Sequence, residues 1–146
     1  MDDRVARSVA AGPSAGSAVE TLTVMIVDDV QDIRDLYEQF FEMQGARVIT
    51  AESGVSALQV VLFHRPDVIV LDIAMPLLSG NDVISSLKGD TRTRTIPIVV
   101  VSGQPDARRA ALAAGADAYI QKPVLPDRLL AEVLRVVRTP GRRRDQ

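Results

Sequence analysis

The chain has 146 residues, a formal net charge of −2 at pH 7, 47% hydrophobic residues and 25% charged residues. This length allows one domain with its own core, and the small net charge gives no field that would favour a nucleic acid or membrane partner. The absence of cysteine excludes a disulfide framework and a thiolate metal site.

The two ends of the chain differ in composition from the middle. Residues 1–20 are rich in Ala, Gly and Ser and predict a flexible N-terminal tail, whereas residues 139–146 predict a basic C-terminal tail. This leaves residues 21–138 as the folded domain. No stretch reaches the roughly 18 uncharged apolar residues of a membrane-spanning helix, and no signal peptide is evident, so we expect a cytoplasmic protein.

Between the tails, short apolar runs alternate with segments whose apolar residues recur at helical spacing. The apolar runs, which predict strands, are residues 23–27, 47–51, 68–71, 98–101 and 118–120. The helical patterns lie within residues 33–43, 55–62, 83–87, 106–114 and 129–137. Strands that are apolar on both faces and alternate with helices predict a parallel α/β sheet covered on both sides, in a single domain.

Polar side chains follow four of the predicted strands. Asp28 and Asp29 follow the first strand and Asp72 the third, whereas Ser102 follows the fourth and Lys122 comes just after the fifth. In a doubly wound sheet, the carboxyl ends of the strands form the functional crevice. Carboxylates gathered there repel one another, and Mg²⁺ would remove that repulsion because it prefers hard oxygen ligands. A carboxylate beside the metal can attack phosphorus, while a lysine and a hydroxyl neutralise the phosphoryl oxygens.

Four motifs, in this order and at the ends of the expected strands, resemble the receiver domain of response regulators. The motifs are Val27-Asp28-Asp29, Val70-Leu71-Asp72-Ile73-Ala74-Met75-Pro76 with Gly80, Val101-Ser102-Gly103 and Tyr119-Ile120-Gln121-Lys122-Pro123. The resemblance covers about residues 22–138. It implies a flavodoxin-like, doubly wound five-stranded parallel sheet with strand order 2-1-3-4-5.

The resemblance also implies the metal and phosphoryl chemistry. Asp72 would be the phosphoacceptor, and Asp29 and Asp72 would hold Mg²⁺. Asp28 would act partly through water, and the backbone carbonyl of Ala74 would be a further ligand. The side chain of Ala74 would also tune the lifetime of the phosphoryl group, together with Gln104.

Three further residues would contact the phosphoryl group or respond to it. Lys122 would contact the phosphoryl oxygens and pair with Asp72 before phosphorylation, and the Lys122–Pro123 bond would be cis. Ser102 would move to hydrogen-bond the phosphoryl group, and Tyr119 would turn inward with it. Catalysis is thus assigned to Asp72, Lys122 and Ser102, and the switch to Ser102 and Tyr119.

The function that the resemblance implies is that of a single-domain response regulator in a two-component system. A histidine kinase or histidine phosphotransfer protein would phosphorylate it, and it would not be an enzyme acting on a separate substrate. Because no segment for an output domain is expected after residue 138, output would be protein binding through the face formed by helix 4, strand 5 and helix 5. The domain would be a monomer or a weak phosphorylation-dependent dimer.

Other hypotheses remain open at this stage. A pseudo-receiver would bind partners without phosphorylation, although the complete set of acids, hydroxyl and lysine disfavours it. A small phosphatase with an aspartate nucleophile usually has an Asp-x-Asp motif, whereas Asp28 and Asp29 are adjacent here. For single residues, Asp29 could cap the first helix, Ser102 could belong to a turn, and His64 is expected to be solvated rather than catalytic.

Overall fold

The computed structural model describes residues 19–74 and 79–138, in which strands and helices alternate. The strands are β1 (Thr23–Val27), β2 (Arg47–Ala51), β3 (Val68–Leu71), β4 (Ile98–Ser102) and β5 (Ala118–Gln121). The helices between and after them are α1 (Gln31–Met43), α2 (Gly54–His64), α3 (Gly80–Gly89), α4 (Arg108–Ala114) and α5 (Pro126–Val137). The strands form one parallel sheet in the order β2-β1-β3-β4-β5, which confirms the predicted fold.

The register of the sheet aligns the carboxyl ends of its strands. Val27, the last residue of β1, pairs with Ala51 of β2 and with Leu71 of β3. On the other side of the sheet, Ser102 at the end of β4 pairs with Gln121 of β5. The residues that follow these strands therefore emerge at one edge, which is where the sequence placed the functional crevice.

Two apolar layers cover the sheet, one on each face. Along β1, Val24 and Ile26 belong to the layer that includes Phe41 of α1 and buried residues of α5. Met25 and Val27 belong to the opposite layer, with residues of α2, α3 and α4. Successive strand residues point to opposite faces, so a strand buried on both sides must be apolar throughout.

The core extends further toward the N-terminus than the predicted boundary at residue 20. Val19 is buried in the layer that contains Phe41, and its carbonyl accepts a hydrogen bond of 2.9 Å from the Leu22 amide. A lone valine among small and polar residues has no periodicity to signal burial. The rest of the predicted N-terminal tail and the tail at 139–146 lie outside the described residues. Within the described ranges, no helix has the length and apolar character needed to cross a membrane.

Helix α4 begins at Arg108, two residues later than the pattern predicted. The Ala107 amide donates to the Gln104 carbonyl at 3.4 Å, which closes a separate turn ahead of the helix. Pro105 occupies the second position of that turn, where the fixed φ of proline is favourable. The turn residues, including Asp106, are therefore not helical.

Burial of Phe41 gives a direct test of the core. Its side chain is 0% exposed and its ring packs edge-on against Phe40, with ring centroids 5.4 Å apart. We expect Phe41→Ala to lower the free energy of unfolding by about 3–5 kcal/mol, measured by urea denaturation with circular dichroism. Phe63, which is 85% exposed, provides the matched control, and Phe63→Ala should change stability by no more than about 0.5 kcal/mol. Equal effects of the two substitutions would contradict this description of the core.

Candidate functional site

Asp28 is the first residue after β1 and is fixed by its neighbours. Its carboxylate oxygen Oδ1 accepts a hydrogen bond from the Val30 amide at 2.9 Å, and its own amide donates to the Ala51 carbonyl at 3.2 Å. The Arg34 guanidinium donates to the Asp28 carbonyl at 2.8 Å. The residue is only 3% exposed, so the first turn of α1 and the end of β2 together hold a buried acid at the sheet edge.

Asp72 holds the equivalent position after β3. Its amide donates to the Val27 carbonyl at 3.0 Å, which continues the pairing of β1 with β3 by one residue. Oδ1 accepts a hydrogen bond of 3.0 Å from the Ala74 amide, whereas Oδ2 lies 3.8 Å from Nζ of Lys122. One carboxylate oxygen is thus fixed by the backbone and the other faces a cation.

The three acids form one cluster. One carboxylate oxygen from each of Asp28, Asp29 and Asp72 lies within 4.8 Å of the others, and Asp29 is the exposed member. The N-cap residue of α1 is Val30, so Asp29 is not the residue that caps this helix. No other group of three or more potential metal-binding acids, histidines or cysteines is found in residues 19–74 and 79–138, and His64 is exposed at the end of α2.

Lys122 brings a positive charge to the cluster from the end of β5. Its amide donates to the Ser102 carbonyl at 2.7 Å, and its bond to Pro123 is cis, as expected. Its Nζ lies 3.3 Å from Oδ2 of Asp28, closer than to Asp72. The lysine therefore makes the ion pair with Asp72 that the resemblance implies and also a shorter one with Asp28, which was not predicted.

Burial dominates the electrostatics of Asp72. Desolvation raises the pKa of its carboxyl above the usual value, and the negative charges of Asp28 and Asp29 act in the same direction. The Ala74 amide and Lys122 oppose this rise without cancelling it. One lysine does not balance three neighbouring carboxylates, and oxygen donors with excess negative charge are what a hard divalent cation requires. The residues present therefore fit Mg²⁺.

Ser102 and Tyr119 both contact the loop between β4 and α4 through a single residue. The hydroxyl oxygen of the buried Ser102 accepts a hydrogen bond of 3.0 Å from the Gln104 amide. The Tyr119 hydroxyl donates to the Gln104 carbonyl. The sequence missed this link, although serine hydroxyls commonly bond the amide two residues on. Gln104 thus joins the two residues that were predicted to form the switch.

Gly80 allows α3 to begin directly against the residue that follows Asp72. The Gly80 amide donates to the Ile73 carbonyl at 3.2 Å, and a Cβ on Gly80 would lie 2.2 Å from the Ile73 Cα. No larger residue fits without displacing this backbone. Ser79, the N-cap, accepts a hydrogen bond of 3.3 Å from the Asp82 amide. Met75 and Pro76, which belong to the same sequence motif, lie outside the described residues.

Comparison with known proteins shows the family to which the chain belongs. A family model described as the response regulator receiver domain matches residues 24–134. The chain belongs to the response regulator receiver family. The receiver is 38% identical over 117 residues to the transcriptional regulatory protein KdpE of Mycobacterium tuberculosis, an alignment that covers 79% of this chain and 50% of KdpE.

Two further comparisons, one with a curated relative and one with a solved structure, also find similar proteins. It is 37% identical over 121 residues to the phosphate regulon transcriptional regulatory protein PhoB of Pseudomonas aeruginosa, with 82% of this chain and 53% of PhoB covered. The receiver thus spans about half the length of the curated relatives it matches. Its fold matches chemotaxis protein CheY4 of Vibrio cholerae with a TM-score of 0.74 and 29% identity, over 79% of this chain and 98% of CheY4.

The raised pKa of Asp72 predicts how its charge affects stability. A carboxyl whose pKa is raised by folding stabilises the fold when protonated, and this contribution is lost as pH rises through the folded-state pKa. We therefore expect Asp72→Asn to increase the free energy of unfolding at pH 7 in a chelator, because it removes a buried charge and keeps an oxygen for the Ala74 amide. The gain should shrink as pH falls below the carboxyl range.

Chemical denaturation across a pH series measures this difference. Asp35→Asn, an exposed position on α1, is the control for loss of one acidic charge and should leave stability nearly unchanged at each pH. If Asp72→Asn destabilised the receiver at pH 7, the account of its electrostatics would be wrong.

Proposed function

We propose that this receiver accepts a phosphoryl group on Asp72 from a histidine kinase or histidine phosphotransfer protein and then changes its binding to a protein partner. The observation that carries the proposal is the environment of Asp72. Its carboxylate is buried, has Oδ1 bonded to the Ala74 amide, and presents Oδ2 to Lys122 inside a cluster of acids. Receiver domains of this family interact with histidine kinases, which supports the choice of donor.

A metal ion would be required for this reaction. Asp28, Asp29 and Asp72, with the backbone carbonyl of Ala74, would hold Mg²⁺, and the bound ion would neutralise charge on the phosphoryl oxygens. The excess of carboxylates over cations supports this assignment. Lys122 would contact a further phosphoryl oxygen, because its Nζ already lies within ion-pair distance of the Asp72 carboxylate.

The phosphorylated histidine of the donor and the Asp72 carboxylate are the only two reactants in the transfer. Oδ2 of Asp72 attacks phosphorus, the bond between phosphorus and the donor imidazole nitrogen breaks, and the nitrogen keeps the electron pair. The product is an acyl phosphate on Asp72 and a free histidine on the donor. In this reaction the receiver acts only on its own side chain.

The loop that contains Gln104 would carry the signal outward. In its present conformation Ser102 accepts from the Gln104 amide and Tyr119 donates to the Gln104 carbonyl. A phosphoryl group on Asp72 would attract the Ser102 hydroxyl as a donor, and movement of the loop would release Tyr119 to turn inward. The altered surface would be the face formed by α4, β5 and α5. That the receiver acts as a single-domain regulator in the cytoplasm stays a prediction.

Labelling with a small phosphodonor tests the acceptor. With phosphoramidate and Mg²⁺, we expect an adduct that is stable in acid and labile in base, detected by intact-protein mass spectrometry. Asp72→Asn should abolish the adduct and a chelator should prevent it, whereas Asp35→Asn should label like the unsubstituted chain. Equal labelling of the Asp72→Asn variant, or labelling unaffected by chelator, would refute the proposal.

The two tyrosines of the chain allow a test of the switch. In protein labelled with fluorotyrosine, the ¹⁹F resonance of Tyr119 should shift on phosphorylation. The buried Tyr37 interacts electrostatically with Lys122 and Asp28, so its resonance is followed separately as a report on the acid cluster. Tyr119→Phe assigns the signals. Once phosphorylated, Ser102→Ala should lose most of the Tyr119 shift, because the hydroxyl that moves the loop is absent. A full shift in Ser102→Ala would exclude this route.

A further inference from the structure

The outer face of α2 is apolar although it faces solvent. Val55 is 48% exposed and Phe63 is 85% exposed, and Gln59 lies exposed between them. No charged residue occurs from Gly54 to Phe63. The outward face of a surface helix usually carries charged and polar residues, so this composition requires an explanation.

The exposed residues are not needed to attach α2 to the sheet. Ala57 and Val61 are buried on the inner side of the helix and pack in the layer that contains Met25 and Leu71. Val55, Gln59 and Phe63 follow one another at intervals of four residues and therefore form a row along the outer side. We call these three residues the α2 stripe.

Opposite charges flank α2 in the sequence, one beyond each end of the helix. Glu52 lies exposed just before the N-terminus of α2, and Arg65 lies exposed at its C-terminal cap. No ion pair joins either of them to another residue of the ranges that the structure describes. Gln59 lies close to midway between them in sequence, as it does between Val55 and Phe63.

This arrangement is complementary to itself. If two copies of α2 pack antiparallel about a twofold axis at Gln59, Val55 of each copy meets Phe63 of the other. Glu52 of each copy then faces Arg65 of the other, so that each of these two kinds of contact occurs twice. The antiparallel helix dipoles add a small favourable term. An unrelated apolar helix could cover the α2 stripe, but it would not be expected to carry charges complementary to Glu52 and Arg65.

We propose that the α2 stripe is a self-association surface whose occupant is the α2 stripe of a second copy of this chain. One helix face is smaller than the about 1,200–2,000 Å² of a standard stable interface, so the dimer should be weak, with a dissociation constant of about 10–500 μM. The surface contains none of the acid cluster. Self-association is therefore independent of phosphorylation, and this proposal and the proposed function can fail separately.

Sedimentation equilibrium on the full chain, over a series reaching hundreds of micromolar, tests the proposal. We expect a monomer–dimer equilibrium that Asp72→Asn leaves unchanged. Phe63→Glu should raise the dissociation constant by at least about tenfold, because it places a charge in the apolar contact. Met43→Glu is the matched control, since Met43 is 63% exposed at the end of α1, and it should have no effect.

A charge exchange distinguishes the second copy from any other occupant. Glu52→Arg and Arg65→Glu should each weaken the dimer, because each places like charges opposite one another, and the double variant should restore it. Circular dichroism checks that all variants are folded. A chain that stays monomeric throughout the series, a double variant that fails to recover, or an equal effect of Met43→Glu would overturn the proposal. A monomer that binds apolar helices of other proteins through Phe63 would overturn it as well.

Discussion

The burial of two carboxylates at the ends of adjacent parallel strands is the constraint on which the site depends. β1 and β3 pair in register, so Asp28 and Asp72 emerge side by side, and both are almost completely buried. Burial and the neighbouring negative charges raise the pKa of Asp72, so the folded protein disfavours the ionised form of this carboxyl. A purely structural position would be more stable with an apolar residue. The acids are instead placed where a bound cation would relieve their repulsion.

The surrounding structure restrains these acids with backbone groups and one lysine. The Val30 amide fixes Asp28 and the Ala74 amide fixes Asp72, while Lys122 lies between both carboxylates. Lys122 is in turn attached to β4, because its amide donates to the Ser102 carbonyl. Ser102, which would sense the phosphoryl group, and Lys122, which would bind it, are therefore linked by a backbone hydrogen bond. A structural change at the acids can therefore reach the loop between β4 and α4 through Lys122 and Ser102.

Much of this organisation could be predicted from the sequence because it follows from strand composition. Strands apolar on both faces must lie in a covered parallel sheet, and polar residues at their ends then meet at one edge. Contacts that depend on three-dimensional packing were not predictable in this way. Val19 has no periodic neighbours to signal its burial. No sequence motif specifies that Lys122 lies within ion-pair distance of both Asp28 and Asp72. The turn at Pro105 and the dual role of Gln104 depend on loop geometry rather than on hydrophobic pattern.

Borohydride trapping tests most directly whether Asp72 is the nucleophile for phosphoryl transfer. Borohydride reduces an acyl phosphate on an aspartate to an alcohol, which converts that residue to homoserine. After treatment with a phosphodonor and Mg²⁺, peptide mass spectrometry should find homoserine at position 72 and unmodified aspartate at positions 28 and 29. Homoserine at position 28 or 29, or none at all in protein that carries a phosphoryl group, would contradict the account.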